Sequence, residues 1–265
     1  MNGGRMATKK KVKKTAKKTA GSGAARAVDI MAFGAHADDV ELGCGGTLIE
    51  AVRRGQRVGI VDLTHGEMGT RGTPEARHRE SLAAARAIGA AFRERLDFGD
   101  GNLRTGREQE LALIRLIRTW RPSILLAPWP DDRHPDHTRT GQLVTDAWFY
   151  AGLVKVETGQ KAHRPDMVAY YIQNYQIQPS FVVDITASLA RKMDAVRSYR
   201  SQFHDPESDE PLTFIAKEGF LPMIEARARH FGALIGTDYG EAFVTKQPPR
   251  IDDLAAAYRG REISS

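Results

Sequence analysis

The sequence has almost no cysteine and no long apolar run. Its single cysteine, Cys44, excludes an intramolecular disulfide and favours a reducing, cytoplasmic location. No stretch approaches the roughly 18 apolar residues of a membrane helix, so a membrane protein is not expected. Walker A and G-x-S-x-G patterns are missing, which argues against a P-loop nucleotide hydrolase and a serine hydrolase. The glycines at 43–46 lack the G-x-G-x-x-G spacing of a dinucleotide site.

Acidic residues are missing from residues 1–27, which contain seven Lys and two Arg. The remaining residues hold 30 basic and 33 acidic side chains, so the formal charge of +6 comes from this segment. Its composition predicts a disordered basic tail, because Lys, Thr, Ala and Gly cannot repay the entropy lost on ordering. A solubilising role is the simplest interpretation, and an electrostatic arm for nucleic acid or an anionic surface is the alternative. Nucleic-acid binding is not expected elsewhere in the chain.

From residue 28 onward, short apolar runs alternate with helical patterns. This alternation predicts one domain over residues 28–265, with an α/β fold: a Rossmann-like three-layer sandwich around a mostly parallel sheet. The expected strands lie at about 28–35, 58–63, 94–98, 124–127, 167–172 and 181–185, and the expected helices at about 40–54, 75–90, 106–119, 138–152 and 219–234. Residues 204–213 are predicted to form a mobile loop, and the residues after 234 a tail.

Two polar clusters follow apolar runs, and both are rich in imidazole and carboxylate groups. The first is H-A-D-D at 36–39, and the second is D-D-R-H-P-D-H at 131–137. Because ligands of parallel α/β sheets bind beyond the carboxyl ends of the strands, these distant segments can meet there. His and Asp are natural ligands of Zn²⁺, and a catalytic zinc keeps one coordination position for water. We therefore predict that His36, Asp39 and His137 form a metal site.

Three further residues of these clusters suit hydrolytic chemistry. A divalent metal makes water easier to deprotonate, and Asp38, next to the ligands, is the candidate general base. His134, if protonated, would stabilise a tetrahedral oxyanion, and Asp136 would orient it through a carboxylate–imidazole hydrogen bond. The simpler interpretation is that the two aspartates of the first cluster cap the next helix and that both histidines of the second are ordinary loop residues. The two clusters together favour the metal site.

These clusters resemble the motifs of the PIG-L/LmbE-like N-acetylglucosaminide deacetylase family. Residues 35–41, A-H-A-D-D-V-E, are similar to its first motif, A-H-P-D-D, with Ala37 in place of the usual proline, and H-P-D-H at 134–137 matches its second. The resemblance covers about residues 28–248. It implies a zinc hydrolase, with Fe²⁺ as the alternative metal. The implied roles are metal binding by His36, Asp39 and His137, proton transfer by Asp38, and assistance by His134 with Asp136.

Further segments are similar to the bacillithiol-biosynthesis branch, which deacetylates N-acetylglucosaminyl malate. They are G-E-M-G-T-R-G-T at 66–73, F-G-A-L-I-G at 231–236 and Y-G-E-A-F at 239–243. The resemblance implies a small-molecule N-acetylglucosaminide substrate, and we expect it to be N-acetylglucosaminyl malate in bacillithiol biosynthesis. We also expect a homo-oligomer. Arg71 and Arg164 are the candidate cations for the malate carboxylates, and Asp100 is the candidate for the sugar hydroxyls. Their simpler interpretations are two solvated loop arginines and a turn-forming aspartate.

Two points limit the transfer of family roles. Relatives use a tyrosine near the position of Phe220 as an oxyanion donor, and Phe220 has no hydroxyl to donate. Tyr239 is interpreted as a packing residue. Two other functions stay open: an amidase acting on thiol–sugar conjugates, and a non-catalytic sugar- or nucleotide-binding protein that needs no metal.

Overall fold

The computed structural model describes residue 1 and residues 27–255, so the predicted basic tail lies almost wholly outside the described residues. Strands and helices alternate along the chain, as predicted. The strands are β1 (Ile30–Gly34), β2 (Val58–Asp62), β3 (Phe92–Arg95), β4 (Ile124–Pro128), β5 (Met167–Tyr171), β6 (Phe181–Asp184) and β7 (Gly240–Val244). The helices are α1 (Asp39–Arg53), α2 (Pro74–Ile88), α3 (Arg107–Trp120), α4 (Pro135–Ala151), α5 (Leu189–Arg197) and α6 (Phe220–Ala233), and a 3₁₀ turn at Thr186–Ser188 precedes α5.

The strands form one sheet in the order β3-β2-β1-β4-β5-β7-β6. The first five strands along the chain are parallel, and β7 is antiparallel to both of its neighbours. The prediction of an α/β fold with a mostly parallel sheet is confirmed. The prediction of a tail after residue 234 is wrong, because β7 lies inside the sheet. Strand β7 has only five residues, between a glycine-containing turn and a proline-rich segment, and so short a stretch does not show a clear strand pattern in the sequence.

The residues of β1 alternate between two hydrophobic cores, one on each face of the sheet. Ile30 and Ala32 belong to the core shared with α1, α2, α5 and α6, whereas Met31 and Phe33 belong to the core shared with α3 and α4. This alternation follows from the two-residue period of a strand. A strand buried on both faces reads as an unbroken apolar run, and the five residues of β1 have this pattern. Among the described residues, no helix has the length and apolar character that a membrane span requires.

The adjacent strands β1 and β4 end at the same edge of the sheet. Their register pairs Ile30 with Ile124 and Ala32 with Leu126. The helix after β1 covers one face and the helix before β4 covers the other, so the chain changes faces between these strands. Beyond β1 the backbone turns sharply, and a Cβ added at Gly34 would lie 2.8 Å from the carbonyl oxygen of His36. A larger residue at Gly34 would therefore displace the first polar cluster.

Helix α4 begins at Pro135, three residues earlier than expected. The imidazole of His134 caps this helix, since its Nδ1 accepts a hydrogen bond from the backbone N–H of Asp136 at 3.2 Å. Pro135 suits the first helical position because that position needs no N–H donor. His137 consequently lies in the first turn of α4, and its orientation is fixed by the helix rather than by a loop.

A buried group of three charged residues, Arg93, Asp62 and Glu41, lies next to the first polar cluster. Arg93 on β3 donates two hydrogen bonds of 2.7 Å to Asp62 and also pairs with Glu41 on α1. All three side chains are at most 2% exposed. Burial raises the pKa of Glu41, and the Arg93 guanidinium opposes that rise. The cluster ties the first turn of α1 to strands β2 and β3.

Replacing Arg93 with Met should leave two buried carboxylates without a cation. We expect a loss of about 3–5 kcal/mol in the free energy of unfolding, measured by urea denaturation at neutral pH. Arg53→Met is the matched control, because Arg53 pairs with Glu50 at the surface and half of its side chain is exposed. Its loss should cost at most about 1 kcal/mol. Equal losses in both variants would contradict this account.

Candidate metal centre

Asp38 occupies a strained position between β1 and α1. Its φ of 111° lies in the left-handed region, which is unfavourable for a residue with a Cβ. It stands at the N-cap of α1, yet its side chain makes no capping hydrogen bond. Asp39 instead fixes the turn, because its Oδ2 accepts the backbone N–H of His36 at 2.9 Å. The helix-cap interpretation of Asp38 is therefore wrong, and its buried carboxylate faces the cavity described below.

His36, Asp39 and His137 come together at the ends of β1 and β4. His137 Nε2 lies 3.0 Å from Asp39 Oδ1, and His36 Nδ1 lies 3.5 Å from Asp39 Oδ2. One ligand atom from each of the three residues can be chosen so that all lie within 4.8 Å of one another. A tetrahedral site with bonds of 2.0–2.1 Å has ligand–ligand distances of about 3.3 Å, so these donors fit a single divalent ion.

A second group of donors overlaps the first. One ligand atom from each of His36, His134 and Asp136 also lies within 4.8 Å of the other two. In this group His36 Nε2 is 3.6 Å from Asp136 Oδ2. The capping bond argues against metal binding by His134. Because its Nδ1 accepts a backbone N–H, a neutral His134 carries its proton on Nε2 and has no lone pair to offer there. The geometry therefore favours His36, Asp39 and His137 as the ligands and His134 as a hydrogen-bond donor.

The charges of the site shift the pKa values of its members. Burial raises the pKa of Asp38 to about 7, although the nearby Arg77 opposes the shift. Burial alone would lower the pKa of His137, but the carboxylates of Asp39 and Asp132 raise it to about 9. Burial and the positive charges of His36 and His137 lower the pKa of His134. The pKa of Asp38 is thus close to the value that an effective general base has at neutral pH.

The structure gives His134 and Asp136 a different relation from the one predicted. The Asp136 carboxylate accepts the backbone N–H of Gly101 at 2.7 Å and is paired with Arg139 at 3.4 Å. Its contact with His134 runs through its own backbone N–H. The predicted carboxylate–imidazole bond is therefore wrong. The capping geometry of α4, rather than a carboxylate, orients His134.

The three predicted substrate-binding residues differ in their positions relative to the site. Asp100 reaches the site, and its Oδ1 accepts from His36 Nε2 at 3.1 Å. Arg71 lines the cavity, but its buried guanidinium donates to Ser208 and to three backbone carbonyls of residues 201–211. Arg164 lies against Phe149 at the far end of α4 and is not part of the site. A 17-residue helix is about 25 Å long, which explains the separation.

Residues 204–213, predicted to form a mobile loop, are held by several hydrogen bonds. Besides the bonds from Arg71, the backbone N–H of Gly72 donates to Glu210 at 3.0 Å. The carbonyl of Arg71 in turn accepts from Gln202 at 2.8 Å. The segment is thereby fastened to the glycine-rich loop at 66–73. No sequence pattern indicated that the two segments meet.

Two residues that support the ligands were missed from the sequence. Asp132 Oδ1 accepts from His137 Nδ1 at 2.9 Å, which is the carboxylate–imidazole arrangement that orients metal-binding histidines. Gln173, just after β5, donates to Asp39 Oδ1 at 3.0 Å. Both signals were available, because Asp132 belongs to the second cluster and Gln173 follows the carboxyl end of a strand.

These residues surround a cavity of about 410 Å³ at the carboxyl edge of the sheet. Pockets for small molecules begin at about 300 Å³, so the cavity is large enough for one. Its lining includes His36, Asp38, Asp39, His134 and His137 together with four arginines, Arg71, Arg77, Arg133 and Arg227. Arg227 on α6 was not predicted, and no sequence signal places α6 beside the clusters. It donates to the carbonyl of Leu42 at 2.7 Å.

Comparison with known proteins points to one family. A family model described as "PIG-L: GlcNAc-PI de-N-acetylase" matches residues 31–148, which include both polar clusters. A diacetylchitobiose deacetylase from Thermococcus kodakarensis is 32% identical over 221 residues, 78% of each chain. A probable N-acetyl-α-D-glucosaminyl L-malate deacetylase 2 from Bacillus anthracis is 26% identical over 63% of this chain and 78% of its own. The conserved protein TT1542 from Thermus thermophilus superposes with a TM-score of 0.78 at 39% identity, covering 84% of this chain and 97% of its own.

Removing the Asp132 carboxylate should weaken metal binding. We expect Asp132→Ala to lower the affinity for Zn²⁺ by about 10- to 100-fold, because His137 loses the group that orients its ring. Competition with a chromogenic chelator measures this affinity. Asp131→Ala is the matched control, since Asp131 is the exposed neighbour in the same cluster and should keep the affinity of the unchanged protein. Equal Zn²⁺ affinities in the two variants would show that Asp132 does not support metal binding by His137.

Proposed function

The chain belongs to the PIG-L family of deacetylases, and on that premise we propose that it is a metal-dependent hydrolase of N-acetylglucosamine conjugates. It removes the N-acetyl group and releases acetate and a free amine. One observation carries the proposal: three buried metal donors, His36, Asp39 and His137, line the same cavity as the buried carboxyl group of Asp38. Residues 28–265 act as one deacetylase domain in this proposal.

The roles of the side chains follow from their positions. His36, Asp39 and His137 hold a divalent ion, which would polarise the amide carbonyl and acidify water in the cavity. Asp38 accepts the proton of the attacking water and then passes it to the leaving nitrogen. His134 donates its Nε2–H to the oxyanion, which a neutral imidazole of this tautomer can do. This assignment removes the need for a protonated His134.

The location of the site supports the same interpretation. The strand order β3-β2-β1-β4-β5 supports the proposal of a Rossmann-like, doubly wound sheet. Ligands of such sheets bind where the strand order reverses, beyond the carboxyl ends. The cavity lies at that point, between β1 and β4. A three-layer α/β sandwich of this kind thus accounts for the place of the site, while the chemistry rests on the side chains.

Two histidines and one carboxylate suit two metals. Catalytic zinc is commonly bound by two histidines and an acidic residue, and the same donor set binds non-haem Fe²⁺. We propose zinc as the native ion, with Fe²⁺ as the alternative. Metal analysis of protein purified under air and under anaerobic conditions separates the two. Zinc in both preparations supports the proposal, and iron in the anaerobic one overturns it.

The substrate proposed first is an uncharged N-acetylglucosaminide. N-acetylglucosaminyl malate is the second candidate, since one relative is a probable deacetylase of that compound. Neither arginine predicted to bind malate is available for it, because Arg71 is bonded to the 201–211 segment and Arg164 lies outside the site. An amidase of thiol–sugar conjugates remains an outcome of the substrate test.

Acetate release from a panel of substrates tests the proposal. The panel contains N,N′-diacetylchitobiose, N-acetylglucosamine, N-acetylglucosaminyl malate and an N-acylated thiol–sugar conjugate. We expect the metal-loaded protein to release acetate from the disaccharide and lose that activity after chelation. Absence of acetate from every N-acetylglucosaminide would refute a deacetylase, and preference for the thiol conjugate would favour the amidase.

Asp38→Asn should separate proton transfer from metal binding. We expect this variant to keep its metal and to lose at least about 100-fold in kcat, because general-base catalysis contributes on that scale. His36→Ala, by contrast, should lose both metal and activity. Metal content and kcat are measured on the same preparations. A wild-type rate in Asp38→Asn would show that Asp38 is not the base.

A further inference from the structure

Two amide side chains just after β5 contact the surroundings of two proposed metal ligands. Gln173 donates to Asp39 Oδ1 at 3.0 Å. Asn174 donates to Asp132 Oδ1 at 2.8 Å, and the same oxygen accepts from His137 Nδ1 at 2.9 Å. Groups that hydrogen-bond to metal ligands orient those ligands and tune their affinity. The segment formed by these two residues, called here the 173–174 segment, therefore supports the ligands from β1 and from β4 together.

The 173–174 segment depends on hydrogen bonds for its position. Asn174 and the two residues after it are exposed, so few packing contacts fix the backbone. Its backbone is held by Arg227 on α6, whose guanidinium donates to the carbonyl of Gln173. A shift of this carbonyl would also move the amide that reaches Asp39. The position of Arg227 is thus transmitted to a metal ligand through one residue.

A break in α1 supplies the second attachment point of Arg227. The guanidinium donates to the carbonyl of Leu42 at 2.7 Å. In a regular helix that carbonyl would meet the N–H of Gly46. Cys44, however, has a non-helical φ of −145°, and the N–H of Gly46 donates to a carboxylate of β7 at 2.9 Å. The Leu42 carbonyl therefore accepts from side chains, and Lys192 also reaches it, at 3.1 Å.

The two attachment points of Arg227 lie on either side of Asp39. Leu42 follows Asp39 by three residues in the first half of α1, and Gln173 donates to the Asp39 carboxylate. Arg227 joins the Leu42 and Gln173 carbonyls and so closes a ring of contacts that includes this ligand. A guanidinium suits such a bridge, because its planar group carries several donors in fixed directions.

The charge of Arg227 fits a bridging role. Arg227 lines the cavity, so substrate binding is the alternative role, but both of its terminal nitrogens are bonded to backbone carbonyls. Burial lowers the pKa of Arg227 to about 10, and the carboxylates of Glu241 and Asp132 oppose the shift. The guanidinium is therefore charged at neutral pH, and charged donors make stronger hydrogen bonds than neutral ones.

Resting on the metal centre of the proposed function, we propose that Arg227 is a positioning residue of that centre. It ties the 173–174 segment to the first half of α1, which keeps the amides of Gln173 and Asn174 against Asp39 and Asp132. It acts on the ion through these residues and binds neither the ion nor the substrate itself. Its loss should therefore change metal affinity.

The zinc affinity of the metal-free protein, measured by competition with a chromogenic chelator, tests this role. Arg227→Met should lower the affinity about tenfold, because groups that support metal ligands contribute on that scale. Arg229→Met is the matched control and should keep the wild-type affinity. Arg229 lies on the same helix, pairs with Glu225 and is 61% exposed. An unchanged affinity in Arg227→Met overturns the proposal.

A second substitution keeps the test decisive if Arg227→Met does not fold, which urea denaturation of the metal-free protein detects. Arg227→Lys retains the charge, but one ammonium group cannot bridge two carbonyls as a guanidinium does. We therefore expect a lower zinc affinity in this variant as well. Wild-type affinity in Arg227→Lys would show that the bridge is not needed and would overturn the proposal.

A double-variant cycle tests whether Arg227 acts through the 173–174 segment. Gln173→Ala should lower the zinc affinity by itself. Because both substitutions disturb the same contact to Asp39, their combined loss should be smaller than the product of the two single losses. A combined loss equal to that product would mean independent effects and would contradict the proposed route.

Substrate kinetics and the wild-type protein separate the two levels of the proposal. A raised KM for N,N′-diacetylchitobiose in Arg227→Met, with zinc affinity unchanged, would make Arg227 a substrate-binding residue. That result overturns the positioning role and leaves the proposed function standing. A wild-type protein that binds no zinc and releases no acetate overturns both.

Discussion

Hydrogen bonding between β1 and β4 is the constraint on which the site depends. These strands are about a hundred residues apart in the chain, yet they are neighbours in the sheet and end at one edge. Their parallel pairing places His36 and Asp39 beside the start of α4, where His137 projects from the first helical turn. The three donors would not meet if β4 were displaced by one position in the sheet. Local structure then adjusts them: the left-handed turn at Asp38 and the early start of α4 aim the side chains into one cavity.

Much of this arrangement was predictable, because the signals lie within short stretches of sequence. Two apolar runs, each followed by a polar cluster, indicated strands β1 and β4 and the two segments that form the site. The rule that parallel strands bind ligands at their carboxyl ends then brought the clusters together. This rule and the chemistry of His and Asp are enough to predict that His36, Asp39 and His137 lie together. The same reasoning predicted that Asp38 lies in the site, where it lines the cavity, although its left-handed backbone could not be read from the sequence.

The parts that could not be predicted depend on long-range contacts. Arg71 and Arg164 were chosen because they are cations in loops, and a sequence does not state which carbonyls will surround a guanidinium. The hydrogen bond between Asp136 and His134 was assigned from proximity in the chain, whereas helix geometry directs the Asp136 carboxylate to Gly101. Strand β7 was missed for a similar reason. Its place between β5 and β6 is set by partners more than fifty residues away.

Strand β7 links the last part of the fold to the first. Glu241 accepts the backbone N–H groups of Gly46 at 2.9 Å and Thr47 at 2.7 Å, and it pairs with the buried Lys192 at 2.6 Å. These bonds cap the second half of α1 just after its non-helical residue, Cys44. Helix α1, which begins at Asp39, is thus completed by a side chain nearly two hundred residues downstream. During synthesis on the ribosome, both polar clusters are therefore made before Glu241, the side chain that caps the second half of α1, has emerged.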